Sequence, residues 1–187
     1  MYLLDIEPLD LGEDVKAIGC ELSEADEHRE PVRGKDAARS WSRVLTATAA
    51  SEPWALDFFS HADRVRDYCG NHRIAFREAN QRSIVIPAPA LGVLEALFER
   101  FQGETFGARA GGVLANENGV DSAVEGELAR RGADAYHTAF SNYYFCAVCG
   151  FEDASLVFLS EKLWASEVIR RVRPVLDGFD VEVRLPS

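Results

Sequence analysis

The side chains best suited to chemistry in this 187-residue chain are four cysteines and four histidines. Cys146-Ala147-Val148-Cys149 has the two-residue spacing of a zinc knuckle, and Cys69-Gly70-Asn71-His72 repeats it with a thiol and an imidazole. Three thiolates and one imidazole would complete a tetrahedral structural zinc site. Spacing alone does not make one. Successive side chains on a strand point to opposite faces, so two cysteines three apart converge only where the backbone between them turns. Ala147-Val148 and the flanking Tyr143-Tyr144-Phe145 favour a strand instead, and free cysteine is often simply buried. The expectation is thiols without a disulfide, no zinc and no cofactor. A redox role would need the pair at the start of a helix, where a thiol is more acidic.

Acid–base chemistry has two candidate sites. On a helix through residues 52–69, Asp57 would stand one turn before His61 and could orient it as a base. A packed histidine bonded to a helical neighbour gives the same spacing, and no nucleophile accompanies the pair. His137 with Asp134 and Ser141 makes a triad only on paper, because the glycine elbow that exposes a nucleophilic serine is missing. Gly103 to Gly112 (GETFGARAGG) matches neither the dinucleotide nor the P-loop pattern and reads as a connection between helix and strand. Arg170, Arg171 and Arg173 suit the last turn of a helix, where the dipole favours cations. No complete catalytic pattern stands out, so the reading leans away from an enzyme.

Charge is the more distinctive feature. The net charge is −11, and residues 1–30 hold ten acids against Lys16 and Arg29, a net of −8. Such a field repels phosphate backbones and anionic lipid, which argues against nucleic acid and membrane partners and for a basic protein. Glu21, Glu24, Asp26 and Glu27 are the candidate binding residues. The alternative for this stretch is a solvated loop. No apolar run approaches the roughly 18 residues of a membrane helix. The start, Met1 to Glu7, lacks a basic segment followed by an apolar one, so a cytoplasmic location is expected.

The elements that must position these residues follow from periodicity. Tyr2, Leu4 and Ile6 alternate with other residues, and Val15 to Leu22 is mixed apolar, which predicts two strands. Residues 23–35, with Pro31 and Gly34, are the expected mobile loop. From Asp36, the spacing of Ala37, Trp41, Val44 and Leu45 predicts a helix. Trp54, Phe58, Ala62, Val65 and Cys69 predict another, over 52–69. Residues 73–78 and 83–87 read as a hairpin, Leu91 to Phe101 as a helix, and 111–115 as a short strand. A helix over 122–140 opens on the capping box Ser122-Ala123-Val124-Glu125. Tyr143–Cys149 and Ser155–Leu159 are apolar at nearly every position, so they should pair centrally and be covered on both faces. A helix with Leu163, Trp164, Val168 and Val172 inward, closed at Arg173-Pro174, precedes a last strand from Val181 to Leu185.

These elements define an α+β fold, with a mixed or antiparallel sheet packed with helices. They are read as one globular domain over 1–187. Residues 1–50 supply the N-terminal strands, acidic loop and first helix. Residues 51–115 and 121–187 read as two α-β-β-α-β units about 72 residues apart, in which Ser83-Ile84-Val85-Ile86 falls on Ser155-Leu156-Val157-Phe158. The expected core holds Trp54, Phe58, Leu94, Phe98, Phe145, Val157 and Trp164. The leading functional expectation is a non-catalytic acidic protein-binding module, of inhibitor or immunity-antidote type. One rival is a small enzyme or ligand-binding protein with a pocket between the two units, near His61, Cys69, His72 and His137. The other is a protein with a structural zinc site. A deep pocket of convergent polar groups would favour the first rival.

Overall fold

The computed structural model describes residues 1–10, 16–49, 54–58, 62–80, 83–101, 106–110, 145–149, 155–159 and 164–185. These form an α+β fold of nine strands and four helices. The strands are β1 (Tyr2–Asp10), β2 (Lys16–Glu24), β3 (Trp54–Phe58), β4 (Arg77–Asn80), β5 (Ser83–Pro87), β6 (Phe106–Ala110), β7 (Phe145–Cys149), β8 (Ser155–Leu159) and β9 (Val181–Arg184). The helices are α1 (Gly34–Ala49), α2 (Ala62–His72), α3 (Leu91–Arg100) and α4 (Ala165–Leu176). All nine strands join one mixed sheet in the order β4-β5-β3-β6-β7-β8-β2-β1-β9. Every neighbouring pair is antiparallel except β1 with β9.

Alternation sorts the sheet into two faces. Leu4, Ile6, Ile18, Cys20, Leu22, Leu156 and Phe158 share one parity through the registers Leu4↔Leu22, Ile6↔Cys20 and Cys20↔Leu156. All are buried in a single cluster with apolar residues of the four helices. Leu56, Phe58, Ile84 and Ile86 join that cluster from β3 and β5. On α1 the inward stripe is Ala37, Trp41, Val44, Leu45 and Thr48. Two hydroxyls buried on this helix are satisfied locally: Ser42 donates to the Ala38 carbonyl (2.6 Å) and Thr48 to the Val44 carbonyl (2.7 Å). At the other parity, Leu3, Ala17, Ala55 and Val85 are buried outside the cluster.

Two arginines tie α1 to its neighbours. Arg43 binds Glu95 of α3, donates to the Arg39 carbonyl (3.0 Å) and places its guanidinium 4.1 Å from the Phe179 ring centroid. Arg171 of α4 donates to the Thr48 carbonyl (2.7 Å), at the end of α1 where carbonyls lack helical donors. An aromatic run links the other half of the core. Phe58 meets Phe101 edge-on at 5.9 Å, Phe101 meets Tyr68 edge-on at 5.5 Å, and Tyr68 stacks on His72 at 4.1 Å.

Strands β7 and β8 pair at the middle of the sheet, as their composition predicts. The two N-terminal strands, α1, β5, α3 and the last strand also match expectation, whereas the first hairpin strand, expected over 73–78, is β4 at Arg77–Asn80. Other readings are corrected. Trp54 to Phe58 is β3, and helix α2 begins only at Ala62. A spacing of four residues fits both a helical stripe and a period of two, so Trp54 and Phe58 carried no discrimination. Strand β3 therefore stands before the first α-β-β-α-β unit, whose order is α2-β4-β5-α3-β6 from Ala62 onward. Residues 122–140, where the second unit would open, lie outside the described residues. Strands β1 and β2 lie within the sheet, between β8 and β9.

Three details of packing also differ. Trp164 is 61% exposed. Its backbone is extended at the helix N-cap, and its carbonyl accepts from Glu167 and Val168 N–H (2.9 and 3.0 Å), so the stripe starts at Ala165. Pro174 does not close α4, which runs on to buried Leu176. Val157 is half-buried on the second face of the sheet, and Trp54 is half-buried at the start of β3, packed against the core cluster. Within the glycine-rich segment, Phe106–Ala110 is β6, paired with both β3 and β7. Phe145 belongs to β7 by backbone; its burial and the expected strand at 111–115 lie outside what is described.

Candidate functional site

The acidic residues gather where β2 ends. Glu21, Glu24, Asp26 and Glu27 are all exposed. They do not share one sheet face. Glu21 stands opposite Asp5, on the face away from the helices, whereas Glu24 stands opposite Tyr2 at the other parity. Asp26 and Glu27 lie on the turn beyond.

That turn is organised, contrary to the mobile loop expected from residues 23–35. Asp26 Oδ1 accepts from the N–H groups of His28 (3.0 Å) and Arg29 (2.9 Å), and Arg29 adopts a positive φ of 49°. Glu24 N–H donates to the Glu30 carbonyl (2.8 Å), and Val32 N–H to the Leu22 carbonyl (3.1 Å) with Val32 buried. A short aspartate side chain stabilising such a turn is ordinary chemistry for this residue.

Cations nearby are already committed. Arg184 grips Asp5 through two bonds of 2.9 Å, and Arg29 reaches the same carboxylate at 3.1 Å. Among the described residues, Glu27 meets His28 at 3.5 Å, and no ion pair neutralises Glu21 or Glu24. Tyr2 donates to Asp36 (2.8 Å), and this bond, with burial and neighbouring carboxylates, raises the phenol above its ordinary pKa.

The sulfur and imidazole candidates fall on separate elements, Cys69 and His72 on α2 and Cys146 and Cys149 on β7. Cys146 pairs with Leu159 and Cys149 with Leu156, which gives the two cysteines opposite parity on a regular strand. Cys69 is buried on α2, where burial pushes its thiol up to about 11. Burial alone raises Cys20 as well. His72 is exposed at the end of α2, its Nδ1 2.9 Å from the Tyr68 carbonyl oxygen. Helix α2 packs over β5, and β3 and β6 intervene before β7. Three strand spacings separate β5 from β7, about 14 Å. Asp57 lies in β3, opposite Val85 and Gly107, so the one-turn helical relation to His61 does not exist. His61 and His137 themselves lie outside the described residues.

A second acidic area was not legible as a site. Asp177, Asp180 and Glu182 are exposed around the turn from α4 into β9, which uses positive φ at Gly178 (86°) and Asp180 (56°). Two shallow depressions of about 220 and 310 Å³ flank it, sharing Asp177 and Val181. Only the sheet order shows that this turn leads into the strand at the end of the described sheet.

One charge cluster has a defined pH signature. Hydrogen bonds from Arg170 and then Arg171 hold the Glu167 carboxyl down at about 2. A depressed carboxylate contributes stability that is complete above its unfolded value and is lost as pH falls through the folded one. Glu167→Gln should therefore lower the urea midpoint at pH 6, with the gap to wild type closing between about pH 4.5 and pH 2. A gap of equal size at both ends of that window would show that the cluster does not couple to folding.

Against known proteins, the chain matches no family model, no curated protein and no solved structure. Among the described residues, no helix is long and apolar enough to cross a membrane.

Proposed function

We propose that this protein is a non-catalytic, acidic protein-binding module, of inhibitor or antidote type, that docks a basic protein through the end of β2 and the turn after it. The observation that carries the reading is the bonded turn, which presents Asp26 and Glu27 beside exposed Glu21 and Glu24 on a fixed backbone. Ordering these acids in advance removes an entropic cost that a loose acidic loop would meet on binding. The β1–β2–β9 end of the sheet holds the display in place, with Arg29 bridging the turn to Asp5.

The charge should act chiefly on the encounter, because long-range attraction speeds association and salt screens it. Wild-type protein and a variant neutralised at Glu21, Glu24, Asp26 and Glu27 would be immobilised and exposed to lysate of the native host. A basic protein captured by the wild type would then be purified for stopped-flow association. The variant should associate about tenfold more slowly at low salt, within the range of electrostatic steering. That difference should vanish as the Debye length shrinks from about 10 Å to about 3 Å. Urea midpoints should stay nearly equal. Equal association rates at low salt would make the segment a solvated turn and remove the support for this function.

A further inference from the structure

Strand β9 lies at one end of the described sheet, with β1 on its inner side. Tyr2 N–H donates to the Asp180 carbonyl (2.8 Å), and Tyr2 and Leu4 stand opposite Val181 and Val183. In a parallel ladder that pattern sends the backbone N–H and C=O groups of Val181 and Val183 away from β1, to the side of β9 where the described residues place no further strand. The Val183 carbonyl accepts from Arg173 (3.3 Å). Among the described residues, nothing takes the N–H of either valine.

Both shallow depressions border this edge. One is lined by Val181, Val183, Arg173, Pro174 and Asp177, the other by Met1, Leu176 and the turn. The large apolar residues exposed among the described ones are Met1, Trp164, Val175 and Leu185. Three of the four belong to this end: Met1 lines a depression, Val175 follows Pro174, and Leu185 continues β9. The nearby cations are engaged, Met1 ammonium with Asp180 (2.7 Å), Arg184 with Asp5, and Arg173 with the Val183 carbonyl. Asp177 and Glu182 face solvent, and among the described residues no cation pairs with either.

We infer that the edge of β9 receives an extended, basic segment of the protein partner as an added strand. The inference rests on the basic-partner reading above and names how that partner is held. Backbone N–H groups of Val181 and Val183 and the Val181 carbonyl supply the ladder bonds. Alternate apolar side chains of the segment lie along the Val181–Pro174 depression, while its cations meet Asp177 and Glu182. Strand addition of this kind takes affinity from main-chain bonds and selectivity from alternate side chains. An acidic rim rejects an acidic strand, including a second copy of β9 with its own Glu182.

The test uses a fluorescein-labelled heptapeptide of alternating lysine and valine, and the same peptide N-methylated on alternate amides. Methylation deletes ladder bonds and leaves the charge intact. Fluorescence anisotropy should show saturable binding of the parent peptide and at least tenfold weaker binding of the methylated one. Amide exchange followed by NMR should slow at least tenfold at Val181 and Val183 in the complex. Asp177→Lys with Glu182→Lys should weaken binding while leaving the urea midpoint near that of wild type. Absence of saturable binding, or equal binding of the two peptides, overturns the inference. Slowed exchange that grows with protein concentration and needs no peptide also overturns it, since the occupant is then a second copy. Equal binding of both peptides that disappears in the variant neutralised at Glu21, Glu24, Asp26 and Glu27 rejects strand addition and leaves the acidic-turn reading standing. Methylation-sensitive binding with an unchanged association rate in that variant does the reverse.

Discussion

Phe58→Ala is expected to lower the free energy of unfolding by about 3–5 kcal/mol, the range for emptying a buried aromatic site. Phe58 is 1% exposed on β3, facing Ile84 across the ladder and the Phe101 ring edge-on. Truncation removes packing from the sheet and from the aromatic run together, and the ring that remains, Phe101, is held from its far side by Tyr68. Phe58→Leu keeps most of the volume and should recover more than half of the loss. Urea titration of the three proteins measures this. A loss below about 1 kcal/mol for the alanine variant would mean that β3 does not carry the core.

The second large effect is expected at Arg43. Its side chain is only 16% exposed, and it serves three partners at once: Glu95, the Arg39 carbonyl and the Phe179 ring. Arg43→Ala strands a half-buried carboxylate on α3 and removes the cation–π contact, at about 2–4 kcal/mol, somewhat below the cost of breaking a fully buried pair. Replacing both partners, Arg43→Met with Glu95→Leu, should return much of that loss, since the orphaned charge goes with its partner. A double-mutant cycle reports the coupling. A coupling energy near zero would reduce the pair to surface decoration.

How much of this could be read from sequence depended on what each residue type discriminates. The run Ser155 to Leu159 has no helical period, and its place beside β7 at the centre of the sheet follows from that. Trp41, Val44 and Leu45 fall on one stripe only if the chain is helical, and α1 is where they predict. Trp54 and Phe58 fit two periods equally, so β3 was hidden until its ladder with β5 and β6 appeared. At Trp164 the spacing to Val168 and Val172 was right for a helix, but the helix starts one residue later and the indole is left outside. Composition found the acids at Glu21, Glu24, Asp26 and Glu27. It could not find their support, because the Asp26 turn, Arg29 and the distant Arg184 come together only through tertiary structure. The β9 edge was beyond reach for the same reason: being an edge is a property of strand order.

The place of the first two strands inside the sheet has a kinetic consequence. Ile18 pairs with Phe158, and Tyr2 with Val181, so the ladders on both sides of the β1–β2 hairpin wait for the far end of the chain. The hairpin itself is local and can close in microseconds, whereas its docking must overcome the loop entropy of nearly the whole sequence. During synthesis, Leu4, Ile18 and Cys20 would stand without their β8 and β9 neighbours until residues 155–184 have been made. High contact order of this sort slows folding and prolongs exposure of apolar strands. The density of acidic residues on this same hairpin then acquires a second use, keeping nascent chains apart by mutual repulsion while the sheet is still incomplete.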